Sequence, residues 1–240
     1  DASGLALSPD ASAGPESQVI GLAYYDVPMA KTSDASATPL SELISHLEYL
    51  RGHDYTFVGS AAISAAKRGA TPLPENPLLL SFDHGHKSFL YNVLPILEQY
   101  NAPAVVGIAT SWIADNTVSG KDAEFMSWDE IRQAGQHALV TVSSMADTLA
   151  THVASNPQGR LDLASVTRLY NVETSSYETE KEYKKRIDGD LRAARQSLQD
   201  ETGIVLDMVS WPEGAYNQTT VKIASDSDYG LMFGLAETEG

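Results

Sequence analysis

The order of apolar segments predicts an α/β protein, built on a parallel sheet or a β/α barrel. Three observations carry this. Short apolar runs alternate with stretches of helical spacing along nearly the whole chain. Several of the runs are apolar throughout and read as buried strands. Polar and aromatic residues collect where the runs stop, the place where such folds bind ligands.

Residues 1–17 are rich in Ala, Ser, Gly, Pro and Asp and read as a flexible leader; the folded domain then runs over 18–240. Residues 19–25 (VIGLAYY) are the first strand, ending at Asp26, and 28–38 a loop of small residues. Leu40, Leu43, Ile44, Leu47 and Leu50 recur at helical spacing over 39–51, with Thr38 or Ser41 as the cap. A short strand over 55–58 and a helix over 61–68, stopped by Gly69, lead to the central run 78–82. Leu90, Val93, Leu94 and Leu97 predict a helix over 89–100, kinked or started late by Pro95. Residues 104–109 (AVVGIA) are a further buried strand, with Trp112 beyond its end. Ser127 caps a helix that carries acids in its first turn, and 138–142 form a strand ending in Ser143, Ser144 and Met145. Residues 156–178 read as a long irregular loop, of the length that usually serves function or stays disordered. A charged helix over 180–202 ends at Gly203. A strand over 205–211, the turn Pro212-Glu213-Gly214, a helix over 219–225 and a last strand over 229–235 complete the chain.

A chain of 240 residues, 42% of them apolar, is enough for one large domain with a sizeable core. Lys and Arg number 16 against 32 Asp and Glu, a formal charge of −16. Such a surface repels nucleic acid and anionic membranes and suits a neutral or cationic ligand. No run is long and apolar enough to span a bilayer. The absence of Cys excludes thiol chemistry and cysteine metal sites.

The central run is LLLSF, bounded by Pro77 and Gly85 and ending in Asp83, His84 and His86. A carboxylate and two imidazoles at a strand end make a candidate site. The plain alternative is a capping Asp with two exposed turn histidines. Tyr25, Trp112, Met145, Trp211 and Glu213 stand at other strand ends, and strand ends pooled at one barrel face would form a pocket with two Trp walls. Trp and Tyr stack on sugar rings through the contact that also buries them in cores, so core packing is the ordinary alternative for each Trp.

These residues lie in a stretch, LLLSFDHGHKSFLYNVLPILEQYNAPAVVGIATSWI, that resembles the first motif of the polysaccharide deacetylases of the NodB type, carbohydrate esterase family 4. The kin most resembled are periplasmic poly-N-acetylglucosamine deacetylases of biofilm export. The resemblance extends over 20–235 and includes LAYYDV, SWDEIRQAG, NPQG, YETEKEYKKRIDGDL and WPEGAYN. It implies a distorted (β/α)7-type barrel, export to the periplasm or cell surface, a polysaccharide ligand, an exopolysaccharide export partner, and a further domain after Gly240.

The resemblance also implies chemistry at a divalent metal held by an Asp and two His, with a second Asp as general base. Asp83 matches the base, but His84 stands where the family has the metal-binding Asp. Met145 and Ala150 stand where it has the two His, Tyr25 where close kin have a His, and Glu213 where they have a Tyr. Thioether and methyl groups cannot rebuild the usual tripod. Two readings follow. One is a pseudoenzyme without a cofactor that binds an amino-sugar polymer or a partner through Tyr25, Trp112, Met145, Trp211 and Glu213. The other is an active N-deacetylase, or a related amide or ester hydrolase. It would use Asp83 as base and a rearranged site for Zn, Ni or Co at His84, His86 and His152, with Asp147 and Glu213 on matching loops. Asp26 is expected to orient the turn at Asp83. His46, His53 and His137 read as surface residues.

Overall fold

Seven parallel strands form one sheet, curled into an open half-barrel, in a computed structural model that describes residues 19–115, 117–118, 121–122, 124–234 and 236–237. The expected leader lies outside these residues. In chain order the elements begin with β1 (Ile20–Tyr24), α1 (Leu40–Gly52), β2 (Thr56–Phe57), α2 (Ser60–Lys67), β3 (Pro77–Phe82), α3 (Leu94–Tyr100), β4 (Ala104–Ile108) and α4 (Thr110–Asp115). The hairpin of β5 (Thr117–Val118) and β6 (Lys121–Asp122) precedes α5 (Trp128–Gly135) and β7 (Val140–Ser144). Then come β8 (His152–Ala154), β9 (Leu161–Leu163), β10 (Tyr170–Asn171), β11 (Ser176–Tyr177), α6 (Glu180–Thr202), β12 (Met208–Ser210), β13 (Ala215–Tyr216), α7 (Gln218–Asp226), β14 (Leu231–Phe233) and β15 (Ala236–Glu237). The sheet order is β1-β3-β4-β7-β12-β14, with β2 paired to the start of β3. Every pairing within it is parallel, so all strand ends point to one face.

Side chains alternate across each strand, and the two faces differ. Leu78, Leu80 and Phe82 of β3 join Val106, Ile108 and Val209 in the main core, which Leu43, Leu47, Leu97, Ile131, Ile187 and Leu191 cover from the helices. Leu79, Val105 and Met208 face the other way in a smaller cluster. Buried Ser143 and Ser210 join their hydroxyls there at 2.8 Å.

The starts of α5 and α6 follow their sequence signals, whereas α1 begins after Pro39 with no side-chain cap from Thr38 or Ser41. Ser127 and Glu130 form a reciprocal cap on α5, and Thr179 and Glu182 form one on α6. Gly203, at φ +75°, ends α6 in the left-handed conformation that glycine adopts without strain. Residues 89–93 wind as a π-helical turn, and α3 starts at Leu94. Pro95, just after this turn, has no N–H to give to the carbonyls of the preceding helical residues.

Two expectations are corrected. The segment 156–178 is not one irregular loop: β8 pairs with β9, and β10 with β11, as antiparallel hairpins. Arg186 of α6 holds them. Its Nε and Nη2 donate to both oxygens of Glu178 at 2.9 and 2.8 Å, its Nη1 to the Ala164 carbonyl, and its Nη2 also to the Thr167 carbonyl. The strand expected over 205–211 is limited to Met208–Ser210, and Val205 is exposed.

Candidate functional site

The end of β3 turns sharply because two successive residues are left-handed, His84 at φ +67° and Gly85 at φ +77°. The turn needs glycine for its φ, and a Cβ at position 85 would also lie 2.9 Å from Ile108 Cδ1, so that side chain would have to shift. The turn carries the two imidazoles inward rather than leaving them exposed. His84 is 5% exposed and lies flat on Trp112, with ring centroids 4.4 Å apart at 12°. Tyr25 packs edge-on against both His84 and His86, at 4.9 and 4.6 Å, and His86 also meets Phe125 at 4.8 Å. Burial pushes the His84 imidazole down to about 3, with His86 adding to the shift, so it is neutral at ordinary pH. Burial lowers His86 too, against the pull of Asp26 and Asp34.

Asp83 donates its backbone N–H to the Tyr24 carbonyl at 2.8 Å, and its carboxylate accepts from Ser81 Oγ at 3.1 Å. Burial pushes this carboxyl up to about 6, the Ser81 hydrogen bond opposing. Asp26 does not reach this turn directly. It accepts from Ser88 Oγ at 2.5 Å, and Ser88 in turn accepts the Val27 N–H, so Asp26 anchors the start of the π-helical turn.

The loop after β7 supplies the second wall. Met145 is fully buried, and its sulfur accepts the His84 backbone N–H at 3.2 Å. It lies over Gly107, where a Cβ would come within 2.7 Å of the sulfur. Met145, Ala109 and Ala150 form a closed apolar cluster against Trp112. Asp190 of α6 fixes this loop: its carboxylate accepts from the backbone N–H groups of Asp147 and Thr148 at 2.7 and 2.9 Å and from Thr148 Oγ1 at 2.5 Å. Asp147 is occupied as well, accepting from Thr110 Oγ1 at 2.6 Å. Asp190 was not singled out in the sequence. Its signal was a carboxylate between Ile187 and Leu191, on the buried stripe of an otherwise charged helix.

On the rim, His152 Nε2 lies 3.5 Å from Glu213 Oε1, both side chains about half exposed. Glu213, at φ +49°, stands in the left-handed region. Burial raises the Tyr25 phenol, and Asp34, Asp26 and Glu213 add to the shift, so three carboxylates act on one ring.

The polysaccharide deacetylase family profile matches residues 70–232. The chain belongs to the polysaccharide deacetylase family. It is 30% identical over 203 residues to the poly-β-1,6-N-acetyl-D-glucosamine N-deacetylase of Escherichia coli K12, a match covering 81% of this chain. The chain spans about 30% of the length of the curated relatives it matches. Among solved structures, a de-N-acetylase from Aggregatibacter actinomycetemcomitans is similar with a TM-score of 0.82 and 30% identity, covering 90% of this chain and 87% of the other. The BpsB deacetylase domain of Bordetella bronchiseptica follows at 0.76 and 26%, covering 90% and 92%. IcaB from Ammonifex degensii, at 0.71 and 19%, covers 91% and 84% and shares the fold.

The divalent metal of polysaccharide deacetylases does not fit the residues of this chain. The positions that the resemblance implies for its donors, His84, Met145 and Ala150, hold a buried neutral imidazole, a thioether and a methyl group, packed together and on Trp112. Among the described residues, no three His, Asp or Glu side chains come together as metal ligands. His152 pairs with Glu213 and does not complete a set with His84 and His86. Two expected ligand contacts are corrected too. Trp211 is 2% exposed and belongs to the main core, and Met145 is covered on all sides. Neither offers a face to a sugar. Tyr25 and Trp112 are half-buried, and Glu213 is open.

Proposed function

We propose that this domain is a polysaccharide-deacetylase fold that binds an amino-sugar polymer or a protein partner and has lost metal-dependent deacetylation. One observation carries the reading: the Met145 sulfur caps the His84 N–H at 3.2 Å, in the centre of an apolar cluster, where a hard divalent ion needs charged and imidazole donors. The polymer named for the relatives, poly-β-1,6-N-acetyl-D-glucosamine, is the proposed ligand class. A charge of −16 suits such a neutral chain, or a partly deacetylated cationic one. Tyr25, Trp112 and Glu213 are the proposed contacts. A periplasmic or cell-surface location and an exopolysaccharide export partner belong to the same proposal, since a polymeric substrate is met where it is exported.

The second reading, an amide or ester hydrolase with a rearranged Zn, Ni or Co site, draws on Asp83. A carboxyl near 6 is close to the range that suits a general base. The test measures divalent metal content and acetate release from acetylated glucosamine oligomers, with Trp fluorescence as the binding signal. The expected result is no stoichiometric divalent metal, no acetate, and a quench that Trp112→Ala removes. One tightly bound divalent ion per chain, lost in His84→Ala and accompanied by acetate release, would establish the hydrolase instead.

A further inference from the structure

Five rings close a circle at the end of β3. Tyr25 meets His84 and His86 at 4.9 and 4.6 Å. Trp112 lies on His84 at 4.4 Å and meets Phe125 at 5.8 Å, and Phe125 returns to His86 at 4.8 Å. Tyr25 and Trp112 are only half-buried, so the circle presents aromatic surface to the outside. Three carboxylates gather about it. Asp26, Asp34 and Glu213 all act on the Tyr25 phenol, and Asp26 and Asp34 also act on His86. Asp34 is held in its loop by Ser36, whose N–H and Oγ donate to its Oδ1 at 2.9 and 2.6 Å. Among the described residues no Lys or Arg forms an ion pair with any of the three acids. Lys87, just beyond the turn, acts on Glu130. Within the circle, His84 Nδ1 and His86 Nε2 are buried without a hydrogen-bond partner among the described residues. Burial disfavours the charged form of both imidazoles, so neither offsets the acids at ordinary pH. Buried nitrogens left unpaired are unusual and call for a partner from outside the cluster.

The chemistry that fits is a cation rich in N–H donors. Aromatic faces attract a cation through the ring quadrupole. Carboxylates accept its protons in charge-assisted hydrogen bonds. An acetamide fits less well. Its carbonyl needs a donor, yet the backbone N–H groups of Asp83 and His84 are already given to the Tyr24 carbonyl and the Met145 sulfur. We infer that the groove selects the primary ammonium of deacetylated glucosamine units over N-acetylated ones, with the Tyr25 face, Asp34 and Glu213 as its contacts. The inference rests on the polymer-binding reading above and narrows it to the cationic form of the polymer.

The test is calorimetry of the whole chain with two β-1,6-linked glucosamine oligomers of equal length, one fully deacetylated and one fully N-acetylated. The deacetylated oligomer is expected to bind roughly tenfold more tightly. Raising salt from about 0.05 to 0.3 M should erode that preference, because it is electrostatic. Asp34→Asn and Glu213→Gln keep the size of each side chain and remove its charge, and each should reduce the preference. Glu201→Gln should leave it unchanged. That residue lies at the end of α6 that leads into β12, on the face away from the strand ends. An acetylated oligomer that binds as tightly as the deacetylated one overturns the inference and leaves polymer binding standing. A loss with Glu201→Gln equal to that with Glu213→Gln also overturns it, because net charge rather than this site would then hold the ligand. If neither oligomer binds, the polymer reading itself falls, and the inference with it.

Discussion

His84 holds a backbone conformation, φ +67°, that Asn, Asp and His tolerate better than most residues. An Asp there needs no change of backbone, and the neighbouring loop is held by Asp190 rather than by the residues that would change. The triple variant His84→Asp, Met145→His, Ala150→His should therefore bind Zn or Ni in calorimetry, and far more tightly than any single change, since one or two ligands fix an ion poorly. Binding no better than that of the parent would show that the loops no longer converge. The same turn sets a pH signature. His84 falls from its ordinary 6.5 to about 3, so between those values the unfolded chain holds the extra proton and stability rises with pH. Asp83 rises from 3.8 to about 6, so in that window the folded chain holds the extra proton and stability falls with pH. The two slopes oppose each other between about pH 4 and 6. Asp83→Asn should remove the falling one. Urea unfolding of that variant should then show stability rising through this range more steeply than in the parent, by at most about 1.4 kcal/mol per pH unit.

The helix α6 organises more of the site than its charged sequence suggests. One buried stripe packs Ile187, Leu191 and Leu198 into the core, and from it Asp190 fixes the loop after β7. Arg186 fixes the two hairpins one turn earlier. The Arg186–Glu178 pair is largely buried, with side chains 21% and 9% exposed. Removing one partner leaves the other charge without compensation, which costs about 3–5 kcal/mol in a buried pair. Arg186→Ala should lose an amount at the lower end of that range and speed amide exchange through 152–178 while sparing β3 and β4. Equal acceleration in the central strands would mean that the hairpins and the sheet unfold as one unit. The hairpins were not legible in the sequence for a physical reason. Strands of two or three residues carry no periodicity, and the contact that orders them is supplied by the following helix. The caps Ser127–Glu130 and Thr179–Glu182 were legible because both partners lie within one turn.

Across the whole molecule, 32 acids against 16 bases produce self-repulsion that the folded state concentrates. The ion pairs of Arg132, Lys184, Arg192 and Lys222 with nearby acids lie at the surface and contribute little each. Raising salt from about 0.01 to 0.15 M shortens the screening length from about 30 to 8 Å. Repulsion should fade faster than those short pairs. The melting temperature should therefore rise, by roughly 2–4 °C for each kcal/mol gained in a domain of this size. A falling melting temperature in calorimetry would show that the pairs outweigh the net charge.

The sequence by itself determined the order of strands and helices and the parallel sheet, because apolar runs and helical stripes are local and repeated along the chain. It also carries the motifs from which His84, Met145 and Ala150 are read at the positions of the family's metal donors. What it could not determine is where each side chain goes once the loops close. Trp211 stands at a strand end like a pocket wall and is in fact core. His152 stands near the expected ligands and pairs with Glu213. The Met145 sulfur meets the His84 N–H across sixty-one positions of chain. These outcomes rest on left-handed turns at His84, Ala146 and Glu213, residues other than glycine whose φ is imposed by packing around them. Only the assembled sheet brings those turns to one face, and so only the tertiary structure decided that the Met145 sulfur and the rings of Tyr25 and Trp112 close around His84.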